Sequence, residues 1–502
     1  MSTPAASFDS SPAQWSQGLP PSPPTGPLAG PPQAARHDRS PAWVLVASIV
    51  VLGLLAGGIA YLVLSEEDEF PSSWDDRVEP LAAWVASERG LEFEHPVEVN
   101  FLSESEYTAA STSEPSSEED EAAVADAAAE LRALGFVSGD FDLVGSMNTL
   151  NDSGTLAFYS SGTKEVYVRG ETLTPALRVT LVHELVHVLQ DQHFDLSRMS
   201  EMSSTRAGVL RAIAEGDAGR IEDVYVDEEL TDAEREEYRA ESDASGEESA
   251  ETVFEEVPDA LTALFAAPYV FGEPLVTYLL DVEGQGAIDE ALKDPPSEQV
   301  LFNPFLWHSP EAEEVELEVI TPSGTTEINR DDVGPIAWYL VLAGRLEPRD
   351  ALAAVDGLGG DTYVTYRDGQ RVCMRATLVG DGPTETSVLE SALNRWVQAG
   401  PAEVASVMRD DDENLQFQAC DPGADAAPES GVTLDVLALP VTRTSIYMDV
   451  RDTGASETEG WCVADGFMSV VTMEQLMASG DDGDQTIGAL MADVMLGCGT
   501  GG

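Results

Sequence analysis

A chain of 502 residues with 43% apolar side chains is long enough for two or three packed domains. Its 25 Lys+Arg stand against 92 Asp+Glu, a formal charge of −67, and so negative a surface repels polyphosphate and excludes nucleic acid as a partner. Only two lysines occur, Lys164 and Lys293, and no Asp/Asn-rich loop has helix-loop-helix calcium spacing, so the charge reads as a solvating surface.

Residues 1–41 are rich in Pro, Ser, Gly and Ala and cannot bury enough surface to fold, which predicts a disordered tail. Residues 42–64, AWVLVASIVVLGLLAGGIAYLVL, carry no charge over 23 positions. At about 1.5 Å per residue they span roughly 34 Å, enough for one transmembrane helix. Arg36, His37 and Arg39 precede this run and Glu66, Glu67, Asp68 and Glu69 follow it. The positive side stays cytoplasmic, which predicts a single-pass cell-membrane protein with everything beyond the anchor outside.

Two acidic stretches, 111–121 and 227–256, read as solvated insertions or charged helix surface. Between them, Leu156–Tyr159 and Glu165–Val168 read as two strands of a hairpin turning through Ser160-Ser161-Gly162-Thr163. A helix then opens with Thr174 as N-cap and Pro175 just inside, and is expected to end near Gln192. It carries His183-Glu184-Leu185-Val186-His187 with uncharged flanks. The four-residue spacing puts both imidazoles on one face, one turn apart, where they can bind one ion. Glu184 points about 100° around the helix from His183, toward a water on that ion, as a general base requires.

The segments TLVHELVHVLQDQHFDL and RAIAEGDAGRIED, with PYVFGEPLV and PPSEQVLFNP farther on, resemble zincin metallopeptidases. Within them they are similar to the group whose third metal ligand is a glutamate on a following helix, and to bacterial membrane-anchored zinc peptidases. The resemblance covers roughly residues 150 to 310. It implies a Zn2+ cofactor, a peptide or protein substrate, and His183, His187 and Glu215 as ligands with Glu184 as the base. Glu215 falls in a helical stretch, Val209–Val224, on an apolar face where a carboxylate is costly unless paired or metal-bound. His193 is the rival third ligand, six residues after His187 as in another zincin branch, although Gln190 stands where that branch has a turning glycine. Asp217 and Glu222 are further alternatives, with Asp217 also placed to orient a ligating histidine. Tyr269, Tyr278 and His308 are candidates for stabilising an oxyanion. The strand Glu165–Val168 is expected to pair with an extended substrate.

Beyond residue 310 the pattern shifts. Glu314–Ile320 alternates like a strand, Pro335–Leu346 reads as an apolar helix, and Thr362–Tyr366 with Arg371–Leu378 reads as a hairpin around Asp368-Gly369. Helices follow near Ser387–Gln398 and Met473–Met477. The four cysteines lie in this part, and sequential bridges Cys373–Cys420 and Cys462–Cys498 are expected outside the membrane. The fold class expected is α+β: a zincin-like domain over 65–310, with a small sheet, an active-site helix and a helical lower part, then an α+β module with four Cys over 311–502. Zinc peptidase activity is the expected function. A catalytically silent zincin-like scaffold and a zinc amidase acting on cell-wall peptides are the alternatives.

Overall fold

The computed structural model describes residues 70–115, 117–309, 315–426, 430–477 and 481–499. The expected tail over 1–41 and membrane helix over 42–64 lie outside them. The first half runs α1 (Glu79–Arg89), β1 (Val99–Leu102), α2 (Glu104–Ser111), α3 (Glu118–Leu134), α4 (Leu143–Asp152), β2 (Ala157–Ser160) and β3 (Glu165–Arg169). It continues through α5 (Pro175–Phe194), α6 (Ser204–Glu228), α7 (Asp232–Glu256), α8 (Asp259–Glu283), α9 (Gln285–Lys293) and α10 (Gln299–Phe302). The second half holds β4 (Thr326–Asp331), α11 (Gly334–Ala343), α12 (Pro348–Val355), β5 (Leu358–Asp368), β6 (Arg371–Gly380) and α13 (Pro383–Ala399). It closes with β7 (Ala405–Arg409), β8 (Leu415–Cys420), α14 (Ala438–Asp452), α15 (Glu457–Val470), α16 (Met473–Met477) and α17 (Asp481–Cys498). The class is mixed α+β, as the sequence predicts.

The expected hairpin forms, with Lys164 in the left-handed region (φ 57°) where the chain turns back. Its place in the sheet differs from expectation. The strand order is β1-β3-β2, with β1 parallel to β3, so β3 is saturated on both sides and cannot pair with a substrate. The two edge strands are β1 and β2, and β2, antiparallel to β3, is the one that packs on α5.

Helix α5 starts where predicted: the Thr174 hydroxyl accepts from the Leu177 amide, and Pro175 occupies the first turn, where its missing N–H costs nothing. It runs to Phe194, two residues past Gln192, and stops at Asp195 in a left-handed conformation. Being buried almost all round, α5 packs against α1, β2, α6 and α7. The acidic stretch 227–256 folds as α7, opened by a capping box between Thr231 and Glu234. Its Glu241 carboxylate accepts the Ala176 amide, one of the donors that the first turn of α5 leaves over.

Helices α6 and α8 touch backbone to backbone. A Cβ on Gly216 would overlap the Gly272 carbonyl oxygen, and one on Gly272 would overlap that of Ala212. Gly216 thus faces α8, and it is Ala218 that lies in the core shared with α5. Helix α8 is long and apolar enough to cross a membrane, but 61% of its most apolar window is buried inside the protein.

The core does not divide at residues 310 and 311. One cluster gathers α1, the three-stranded sheet, α5 and the end of α6; the other runs from α3 through α6 and α8 into α11–α15. The second sheet has order β4-β5-β6-β8-β7, every pair antiparallel, and contains the expected hairpin as β5 and β6. Residues 315–320 of the expected strand Glu314–Ile320 form no strand. The segment bonds instead through isolated contacts, the Val315 amide to the Gly359 carbonyl and the Thr377 hydroxyl to the Glu318 carbonyl. The two disulfides are those expected: Cys373–Cys420 joins facing residues of β6 and β8, and Cys462–Cys498 joins α15 to α17.

Candidate metal centre

The four-residue spacing on α5 brings the His183 and His187 rings to 4.7 Å between centroids. Helix α6 crosses behind them and presents Glu215. One oxygen, Oε2, lies 3.2 Å from His183 Nε2 and 3.3 Å from His187 Nε2. Among the described residues this is the one group of three or more His, Cys, Asp or Glu side chains whose ligand atoms all converge, here within 4.8 Å of one another. Ligands about 2.05 Å from a tetrahedral zinc stand roughly 3.3 Å apart, which the two N–O separations match. His183 is 6% exposed, and His187 and Glu215 8% each, so the donors are held away from bulk water.

The outer nitrogens are fixed too. His183 Nδ1 donates to Glu222 Oε2 at 3.0 Å, and His187 Nδ1 donates to Gln190 Oε1 at 3.0 Å. Both imidazoles therefore turn Nε2 inward, the tautomer a metal ligand needs. Gln190 in turn donates to the Ala214 carbonyl and to Asp217 Oδ2, and buried Arg89 donates to Asp217 (2.7 Å) and to Asp289 (2.6 Å). Asp217 thus acts on His187 through Gln190 rather than directly.

Burial pushes the Glu215 carboxyl up, but the charges of His187 and His183 and their hydrogen bonds outweigh it and hold it at about 2. Burial opposes charge on His183, yet its hydrogen bonds to Glu215 and Glu222 raise it well above the usual imidazole range. His187 is raised likewise, against burial, chiefly by the Glu215 charge. The pocket thus holds protons between imidazole and carboxylate, and a cation binding there must displace them.

Glu184 is 1% exposed, and burial raises its carboxyl against the pull of the two histidines. Its Oε2 accepts the Tyr159 backbone amide from the edge of β2 at 2.8 Å, while its Oε1 is buried without a partner among the described residues. An orphaned carboxylate oxygen beside three converging donors fits a site that takes a metal and a water. Tyr159 is itself held: its hydroxyl donates to Asp191 Oδ2 at 2.6 Å, and Lys164 Nζ bonds the same oxygen at 2.7 Å.

The other candidates separate clearly. His193 Nε2 donates to the Glu92 carbonyl at 2.8 Å and stands outside the converging group. Glu222 supports His183 rather than joining the donors. Tyr269 reaches the site: burial and the nearby Glu215 carboxylate raise its hydroxyl well above its usual range. Tyr278 packs instead on Tyr447 and under Arg451, and exposed His308 faces Glu283 at 3.6 Å. Sequence reasoning missed the supporting role of Gln190 and gave Glu222 as a ligand alternative rather than a support, and it did not single out Arg211, whose charge lies near Glu215 and Tyr269. Helical spacing carries the signal for each: Gln190 is one turn past His187, Glu222 two turns past Glu215, and Arg211 one turn before it. A cavity of about 610 Å³ lined by Asp350, Thr384, Ser387 and Arg395 contains none of these residues.

No family model matches the chain, and comparison with the curated proteins and with the solved structures gives no match either.

Proposed function

We propose that the chain is a zinc-dependent peptidase, with His183, His187 and Glu215 as metal ligands and Glu184 as general base. The observation that carries this reading is the convergence of three buried donors beside a buried carboxylate oxygen that lacks a partner. Bound there, zinc would lower the pKa of a water and polarise a carbonyl. Glu184 Oε1 takes the proton from that water and returns it to the leaving amine, its carboxyl being anchored meanwhile by the Tyr159 amide. The edge strand β2 aligns an extended substrate above the helix through outward groups other than the Tyr159 amide, which is spent on Glu184. Tyr269 is placed to donate to an oxygen that gains charge at Glu215's level.

A small sheet lying over the histidine helix, followed by a helix bearing the third donor, supports a zincin-like assignment. Two disulfides fit an oxidising compartment, and with the apolar run 42–64 they support an anchored enzyme acting outside the cell membrane. A silent scaffold would have no use for a buried, orphaned Glu184, which favours turnover.

The test uses the full chain in detergent, with metal analysis and cleavage of an internally quenched peptide library. Wild type is expected to hold one zinc per chain and to cleave. Glu184→Gln is expected to keep the zinc and lose roughly 10²–10⁴-fold in rate. Full activity of Glu184→Gln with zinc bound would overturn the assignment.

A further inference from the structure

We propose that Arg211 is the receptor for a free carboxylate of the substrate, one helical turn from the metal ligands. This rests on the peptidase reading and adds a substrate class to it. Three arginines in the described structure are more than nine-tenths buried: Arg89, Arg211 and Arg443. Arg89 is locked to Asp217 and Asp289, and Arg443 to Asp356. Arg211, 8% exposed, has no carboxylate within ion-pair distance and no hydrogen-bond acceptor among the described residues. Only the longer-range fields of Glu215 and Tyr269 act on it. A guanidinium does not shed its proton at ordinary pH, and none of the Arg211 nitrogens is sealed from solvent, so a full charge without an ion partner stands open to a ligand in an otherwise buried side chain.

Its position says what it is for. Arg211 and Glu215 are four residues apart on α6 and share a face, with about 6 Å of rise between them. Its guanidinium feels the charges of both Glu215 and Tyr269, which places it beside the metal centre without an ion pair to it. The oxygen that gains charge in peptide hydrolysis lies at the metal, where Tyr269 already reaches. An anion one turn away corresponds instead to a group one or two residues along an extended peptide, at about 3.3 Å per residue. A planar guanidinium matches a carboxylate through two parallel hydrogen bonds. Two sources supply that chemistry, a C-terminal carboxylate or an acidic side chain next to the scissile bond. The overall charge of −67 repels both at long range, which makes one unspent buried cation a local selector.

The test is calorimetric binding to the zinc-loaded full chain in detergent, with three probes. These are a succinyl hydroxamate of the dipeptide Leu-Ala as free acid, the same compound as its terminal amide, and the amide with Glu replacing Ala. Wild type is expected to bind the free acid or the Glu amide at least about tenfold more tightly than the neutral amide, the worth of a charged hydrogen-bonded pair. In Arg211→Gln that preference is expected to fall below about threefold, with Arg211→Lys keeping part of it and zinc content unchanged in both. The preferred acid identifies the source: the terminal one makes the enzyme a carboxypeptidase, the side chain an acid-selective endopeptidase. Equal binding of all three probes to wild type carrying its full zinc would overturn the proposal, and that comparison depends on no variant. A preference that survives in Arg211→Gln would overturn it too. Absence of zinc from wild type would instead bring down the peptidase reading, and this proposal with it.

Discussion

Removing Glu222 is the sharpest probe of the metal centre, because Glu222 touches no substrate and no metal in the arrangement proposed. It is 4% exposed, and its Oε2 lies 3.0 Å from His183 Nδ1. In Glu222→Ala the buried Nδ1–H loses its acceptor, at a cost of about 1–3 kcal/mol, and the ring is free to rotate Nε2 away from Glu215. Outer partners of ligating histidines are worth about 10–100-fold in metal affinity, or roughly 1.4–2.7 kcal/mol, and the buried geometry favours the upper half of that range. Glu222→Gln keeps an oxygen acceptor but loses the charge, so it should fall between wild type and the alanine variant. Zinc affinity is read by competition with a fluorescent chelator, with thermal melting of the metal-free protein as the control for folding. Zinc binding by Glu222→Ala within about twofold of wild type would refute the reasoning, because the histidine would then need no outer partner.

Three further outcomes are expected. His193→Ala should leave zinc content unchanged, since its ring is spent on the Glu92 carbonyl; loss of zinc in that variant alone would reverse the ligand assignment. Burial raises the Glu130 carboxyl to about 7 from its ordinary 4.5. The folded state therefore holds that proton more tightly than the unfolded chain, so the penalty is absent below about pH 4.5 and grows as pH rises through 7. Glu130→Gln should accordingly gain up to about 3 kcal/mol at pH 8 and little at pH 4.5, seen as a melting-temperature difference between the variants that widens with pH. Gly272→Ala should spread α6 from α8, because its methyl would overlap the Ala212 carbonyl; a variant melting within 2 °C or so of wild type would show that the crossing yields cheaply.

How much of this was legible in the sequence follows the range of the interactions. Thr174 and Pro175 mark the start of α5 through contacts within one turn, and the turn at Ser160–Thr163 fixes the hairpin locally, so both were readable. The place of β3 in the middle of its sheet was not, because its parallel partner β1 arrives from far upstream and leaves no mark near Val166. Residues 227–256 read as a solvated insertion or charged helix surface; the helix forms, and what composition hides is that its Glu241 and Glu234 face α5. Val315, Leu317 and Val319 alternate like a strand, but the ladder position beside β5 belongs to β4. At the centre, the His183–His187 spacing was plain and Glu215 ranked above His193. The division of labour among Glu215, Asp217 and Glu222 needed the crossing of two helices, which spacing on one helix does not encode.

Asp191 gathers the Tyr159 hydroxyl and the Lys164 ammonium on one buried oxygen, two turns past Glu184 on the same helix. Hairpin and helix are therefore one rigid body, and the height of the β2 edge above the base is set before any peptide arrives. On the peptidase reading proposed above, such a site works as a die rather than a jaw. Selection among substrates then falls to what lies beyond the fixed edge, and natural variation in preference should accumulate on α6 and α8 while the hairpin stays constant.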